Sequence, residues 1–177
     1  MDNKQLIKST LKVVQDFPKP GISFKDITPI LANAKVFKIT IDELLKTIKG
    51  IKFDAVVGLE SRGFWFAIPI AQRLGIPFVP VRKKGKLPRR TVEAAYELEY
   101  GRDYIQVHKD DIREGSNVLI VDDIVATGGT ILATKDLMNK IKVKAEHLLV
   151  LASLAELPQG IKNIEKAGIH VHSLFKL

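Results

Sequence analysis

Apolar positions recur along this chain in two rhythms. Phe37, Ile41, Leu44, Leu45 and Ile48 fall at i, i+4, i+7, i+8 and i+11, the stripe an α-helix buries on one face. Leu6, Ile7, Leu11 and Val14 keep a similar spacing and predict a first amphipathic helix over 3–14. Between them, residues 16–29 are interrupted by three prolines and a glycine, which predicts an ordered loop. Short apolar runs bounded by charge predict buried strands at 54–59, 77–81, 117–121, 145–154 and 169–175. Helical patterns separate them at 63–74, 129–141 and 158–167. The polar stretch 82–101 breaks the alternation; its second half, with 104–108, predicts a β-hairpin. Strands alternating with helices imply an α/β fold with a mainly parallel central sheet flanked by helices. In such folds ligands sit at the carboxyl ends of the strands.

Composition narrows the choice. A length of 177 residues with 46% hydrophobic and 27% charged positions suits a single globular domain spanning 1–177. Absence of cysteine excludes disulfides, thiolate metal sites and thiol catalysis. Lysines and an aspartate interrupt the first fifteen residues, so no signal peptide is expected. No apolar run approaches the ~18 residues of a membrane span, and a cytoplasmic protein is expected. Net charge is +8, a balance that suits nucleic acid, an anionic surface or a polyphosphate substrate. Part of this charge is concentrated: residues 82–90 carry six basic side chains in nine, with a glycine and a proline that predict mobility.

Chemistry is densest at 118–130, VLIVDDIVATGGT. An apolar run predicts a strand, with Asp122 and Asp123 at its carboxyl end, and Ala126, Thr127, Gly128, Gly129 and Thr130 open a helix. Unpaired amides and the partial positive charge of a helix start hold phosphate, and the glycines permit close backbone approach. Two adjacent carboxylates are costly to desolvate together unless paired; ribose hydroxyls or a nearby magnesium ion would serve. No lysine follows Gly129, which rules out the other common phosphate loop. Glu60-Ser61-Arg62-Gly63 follows a second predicted strand, where Arg62 can fork to phosphate oxygens. His108, His147, His170 and His172 are scattered, and a zinc site is not expected.

The 118–130 segment resembles the phosphoribosyl pyrophosphate motif of type I phosphoribosyltransferases. The likeness to their adenine-specific branch extends over nearly the whole chain, through residues 16–29, Gly58-Leu-Glu-Ser-Arg-Gly-Phe64, Arg82-Lys-Lys-Gly-Lys-Leu-Pro88 and Leu98-Glu-Tyr-Gly101. This resemblance implies an enzyme that joins adenine to phosphoribosyl pyrophosphate, with magnesium bound through the substrate and no metal ligands from the protein. It implies a homodimer and no nucleic-acid or membrane partner. It assigns Asp122, Asp123, Ala126, Thr127, Gly128, Gly129, Thr130, Ser61, Arg62, Arg82, Lys83 and Lys86 to phosphoribosyl pyrophosphate, and a non-proline cis peptide to the turn at Ser61. A small N-terminal hood at about 16–30 and a flexible loop at about 82–104 complete the picture. Ser23, Phe24, Lys25 and Ile124 would hold the base, with Phe24 and Ile124 on its faces. Catalytic roles fall to Arg62 and to Glu99, near N7 of adenine; Tyr100 would orient the site. Read without the resemblance, an exposed hairpin acid is the alternative for Glu99, and core packing is the favoured reading of Phe24.

Overall fold

The computed structural model describes residues 2–98 and 101–177. By internal contacts the chain comprises two compact units, Met1–Thr47 and Ile48–Leu177.

In the first unit, α1 (Asn3–Thr10) is followed by β1 (Lys12–Gln15), β2 (Ser23–Asp26), α2 (Thr28–Leu31) and α3 (Ala34–Thr47). The helix expected over 3–14 therefore stops early. Leu11 is extended, with φ −62° and ψ 143°, and Lys12–Gln15 pairs antiparallel with Ser23–Asp26. Thr10 Oγ1 and Ser9 Oγ both donate to the Leu6 carbonyl, a local bond that competes with helix continuation. Val13 and Val14 are β-branched and exposed, so the place of Val14 in the apolar rhythm reflected strand preference rather than burial. Within the expected loop, Ser23–Asp26 is accordingly strand and α2 begins at Thr28. Its turn is tied by the Gly21 amide donating to Asp16 Oδ1 at 2.7 Å.

The second unit is a seven-stranded sheet. Its elements in chain order are β3 (Ala55–Leu59), α4 (Arg62–Leu74), β4 (Phe78–Lys83), β5 (Thr91–Leu98), β6 (Gly101–His108), β7 (Asn117–Val125), α5 (Gly129–Lys140), β8 (Lys144–Ser153), α6 (Pro158–Lys166) and β9 (His170–Lys176). Strand order is β5-β6-β4-β3-β7-β8-β9. The five strands from β4 to β9 along that order are parallel, and the β5–β6 hairpin joins antiparallel through β4. This is the mainly parallel α/β sheet expected.

On one face, Ile131, Leu137 and Met138 of α5 bury against Val57, Val118, Ile120, Leu148 and Val150. On the other, α4 packs on β3 and β7 with Phe66, Ala67, Ile70 and Ala71 buried. Gly75, in the left-handed conformation at φ 67°, ends that helix. Among the described residues no helix is long and apolar enough to cross a membrane.

The chain runs from β3 outward to β4 but from β7 outward to β8 and β9 in the opposite direction. The order thus reverses between β3 and β7, which opens a crevice at their carboxyl ends.

Candidate functional site

Two turns meet at that reversal. Ala55–Gly58 of β3 lies in register with Val118–Val121 of β7, so Glu60 and Ser61 emerge beside Asp122. The first turn of α4 lies directly on β7: a Cβ added at Gly63 would stand 2.7 Å from the Val121 carbonyl oxygen and 3.0 Å from Asp122 Oδ1. Only glycine lets the two turns approach this closely. The Glu60–Ser61 peptide is cis, as the resemblance implied.

The aspartates do not follow the strand, as expected, but belong to it. β7 continues to Val125 because β8 is long enough to pair with Asp122, Ile124 and Val125. Asp122 Oδ1 accepts the Asp123 amide at 2.9 Å, and Arg62 Nε stands 3.0 Å from Asp123 Oδ2. Asp123 Oδ2 nevertheless meets no donor at hydrogen-bonding angles; the contact with Arg62 is one of charge. Burial pushes the Asp122 carboxyl well above the ordinary aspartate range, and the neighbouring Asp123 charge adds to it. Burial also raises Asp123, against the pull of Arg62.

Facing these carboxylates is the 126–130 turn. Gly128 caps α5 in the left-handed conformation, φ 84°, which disfavours a side chain. No side-chain cap bond is made at Gly128, and an uncapped helix start suits an anion. α6 braces this turn from behind. A Cβ at Gly128 would meet Ile164 Cδ1 at 3.0 Å, and one at Gly160 would collide with the Ala126 carbonyl and stand 3.0 Å from the Thr127 carbonyl carbon.

Glu60, Ser61, Arg62, Asp122, Asp123, Ile124 and residues 126–131 line a cavity of about 350 Å³. Ten of the residues singled out in the sequence thus come together in one place. A larger cleft of about 520 Å³ lies at the amino ends of β3, β4 and β7, between Asp54, Pro77 and 111–116. It gathers none of the predicted residues and lies at the wrong end of the sheet for this fold.

Arg82, Lys83 and Lys86 do not line the cavity; the first two are engaged with acids instead. Arg82 forks onto Glu60 through Nε and Nη2 at 3.2 and 3.1 Å. Lys83 Nζ lies 3.3 Å from Asp103, which also accepts the Tyr96 hydroxyl at 2.9 Å. Burial, together with that bond to Asp103, raises the Tyr96 phenol to about 12. Lys86 is held by its backbone amide to the Lys83 carbonyl.

Ser23, Phe24 and Lys25 sit on β2 in the other unit, all half-buried; Phe24 packs edge-on against Phe17. Half-burial and a ring partner on the same hairpin set Phe24 apart from the core residues of its unit. Glu99 and Tyr100 lie outside the described residues.

Glu60 has no role assigned from the sequence, although an acid beside a Ser-Arg turn at a strand end is the available signal. Nor are all the histidines scattered: β8–β9 pairing brings His147, His170 and His172 together, with His147 Nδ1 3.0 Å from His172 Nε2. Burial, and then the His170 charge, lower the His147 imidazole. Among the described residues no three acid or imidazole groups form a metal-holding set.

A family model described as the phosphoribosyl transferase domain matches residues 24–173. The adenine phosphoribosyltransferase of Vibrio parahaemolyticus is 49% identical over 169 residues, 96% of this chain and 93% of the relative. Among solved structures, the adenine phosphoribosyltransferase of Thermoanaerobacter pseudethanolicus superposes with a TM-score of 0.94 at 46% identity, covering 98% of this chain and 99% of that one. The Saccharomyces cerevisiae enzyme, complexed with an imino-altritol bisphosphate and adenine, gives a TM-score of 0.89 at 39% identity, covering 98% of each chain.

Proposed function

The chain belongs to the phosphoribosyl transferase domain family, among the adenine phosphoribosyltransferases, and from that premise we propose that it transfers the 5-phosphoribosyl group of phosphoribosyl pyrophosphate to adenine, giving AMP and pyrophosphate. The observation that carries this reading is the cavity in which a bare helix start faces a buried pair of carboxylates and one arginine. A 5′-phosphate suits the first, a ribose diol the second and a pyrophosphate the third.

In the proposed reaction, the bond from C1′ to the pyrophosphate oxygen breaks as N9 of adenine bonds to C1′, and the base sheds one proton. Amides of the 126–130 turn anchor the 5′-phosphate. Asp122 and Asp123 accept the ribose hydroxyls, which supply a donor to the otherwise unsatisfied Asp123 Oδ2. Positive charge developing on the ribose is favoured by the same carboxylates, while Arg62 stabilises the leaving pyrophosphate. Arg82, Lys83 and Lys86 add to that stabilisation. Glu99 is assigned the proton at the imidazole edge of the base. Ser23, Phe24, Lys25 and Ile124 are assigned to adenine, in keeping with a flat ring that needs apolar faces and polar contacts at its rim. Catalysis is then mainly positioning and charge stabilisation. Magnesium comes with the substrate and supplies further positive charge to the pyrophosphate. A homodimer in the cytoplasm accompanies this reading.

The test is nucleotide formation from phosphoribosyl pyrophosphate and magnesium, with adenine, guanine, hypoxanthine, xanthine and orotate offered separately. AMP from adenine alone is expected. Turnover of another base would keep the sugar-phosphate assignment and overturn that of Ser23, Phe24 and Lys25. No product from any base would overturn the activity.

A further inference from the structure

Glu60 is out of place in a pocket for polyanions. Glu60 is among the residues lining the cavity, yet its side chain is only 16% exposed and its carboxylate bonds to the root of the basic segment. Arg82 Nε donates to Oε2 at 3.2 Å and Arg82 Nη2 to Oε1 at 3.1 Å, the bidentate fork that fixes both groups in one plane. The Lys83 backbone amide donates to Oε2 at 2.7 Å. Burial alone would raise this carboxyl, but the bonds from Arg82 and Lys83, with the Arg82 and Lys86 charges, outweigh it and hold the group below its ordinary range.

The connection is structural as well as electrostatic. Glu60 directly precedes Ser61 and Arg62, and its own amide donates to the Val81 carbonyl at 3.0 Å. Backbone and side chain together therefore tie the β3–α4 turn to the end of β4, where Arg82 and Lys83 leave the parallel sheet. Beyond that point Gly85, at φ 81°, redirects the chain, and its amide donates to Gln106 Oε1.

We infer that Glu60 is a positioning residue for the pyrophosphate end of the site. It locks the Arg82 guanidinium and the Lys83 backbone onto the Ser61–Arg62 turn, so that the cations serving the leaving group come from one connected piece. This rests on the proposed function, in which those residues serve pyrophosphate. The Glu60 charge offsets that of Arg82, so that Arg82 contributes through the geometry it imposes on the turn more than through net charge.

The test compares Glu60→Gln, Arg82→Ala and the double variant by steady-state kinetics, with thermal unfolding alongside. Glutamine keeps the size and one acceptor but not the bidentate, charged fork. Glu60→Gln should raise KM for phosphoribosyl pyrophosphate about tenfold, the scale of one lost charge-assisted hydrogen bond, and leave KM for adenine unchanged. A merely structural defect would lower Tm and disturb both substrates. Adding Glu60→Gln to Arg82→Ala should cost little more than Arg82→Ala alone, since the two act as one unit. A normal KM for phosphoribosyl pyrophosphate in Arg82→Ala would remove the premise. A raised value there with a normal one in Glu60→Gln would overturn the inference itself. A lowered KM in Glu60→Gln would also overturn it, by showing that Glu60 competes with pyrophosphate for Arg82.

Discussion

Asp122 and Asp123 show a conflict between stability and chemistry at the scale of single residues. Burial and mutual repulsion hold the Asp122 carboxyl well above its ordinary range. A carboxyl whose pKa is higher in the folded chain than in the unfolded one favours folding while protonated. That stability is fully present below the ordinary aspartate value and is lost as pH rises toward the folded value. Ionising the pair as pH rises therefore works against the fold. Asparagine at 122 keeps an oxygen for the Asp123 amide while removing one charge. Asp122→Asn should raise Tm near pH 7 by about 2–4 °C, the equivalent of ~1 kcal/mol in a chain of this size, and should flatten the loss of stability with rising pH. Its kcat/KM should fall by roughly ten- to a hundredfold, as expected when a charged partner of a ribose hydroxyl is lost. Scanning unfolding across pH and assaying the same preparation decides this. A variant that is both less stable and fully active would refute both assignments. The pairing of these two acids was legible in the sequence because adjacent aspartates after an apolar run are hard to explain otherwise. The role of Glu60 was not, because its partner Arg82 lies 22 positions away and only the β3–β4 pairing brings them together.

At the scale of elements, the local pattern located the strands and helices of the parallel sheet to within a few residues, since buried runs and glycine or proline boundaries are set locally. It failed where pairing decides. Residues 12–14 look helical by spacing yet belong to β1, because β2 offers a partner. β7 outlasts its apolar run because β8 runs alongside it. α6 was visible as a helix but not as a support, since nothing in its own sequence points to the 126–130 turn. Its Gly160 lies so close to Ala126 that any side chain must push that turn away. Alanine normally favours a helix over glycine by ~1 kcal/mol; here the backbone collision should override that gain. Gly160→Ala should raise KM for phosphoribosyl pyrophosphate by about tenfold or more, because displacing a positioned group by ~1 Å is costly, and should leave KM for adenine near normal. Kinetics with each substrate varied in turn would show it. An unchanged KM for phosphoribosyl pyrophosphate would mean that the 5′-phosphate is not held by this turn.

At the scale of the whole chain, the two substrates are assigned unequally to its two compact units. Every residue assigned to phosphoribosyl pyrophosphate belongs to Ile48–Leu177, whereas of those assigned to adenine Ser23, Phe24 and Lys25 belong to Met1–Thr47 and Ile124 to Ile48–Leu177. The resemblance supplied this division, and the fold gives it a physical basis: a sheet with a crevice at its topological reversal forms a sugar-phosphate site from its own strands, while β1 and β2 form a separate ribbon of half-buried and exposed side chains. Base recognition is then separable from sugar-phosphate recognition by one substitution. Phe24 is only half-buried, so Phe24→Ala puts less stability at stake than loss of a fully buried ring. Loss of one aromatic partner of a base costs roughly 1–3 kcal/mol, or about ten- to a hundredfold. KM for adenine should rise by that factor, and phosphoribosyl pyrophosphate should stabilise the variant against heat as strongly as it does the parent chain, since bound ligand raises Tm in proportion to its affinity. If the variant instead lost its thermal response to phosphoribosyl pyrophosphate while keeping its adenine KM, Phe24 would serve the sugar-phosphate site, and the division of labour between the units would be wrong.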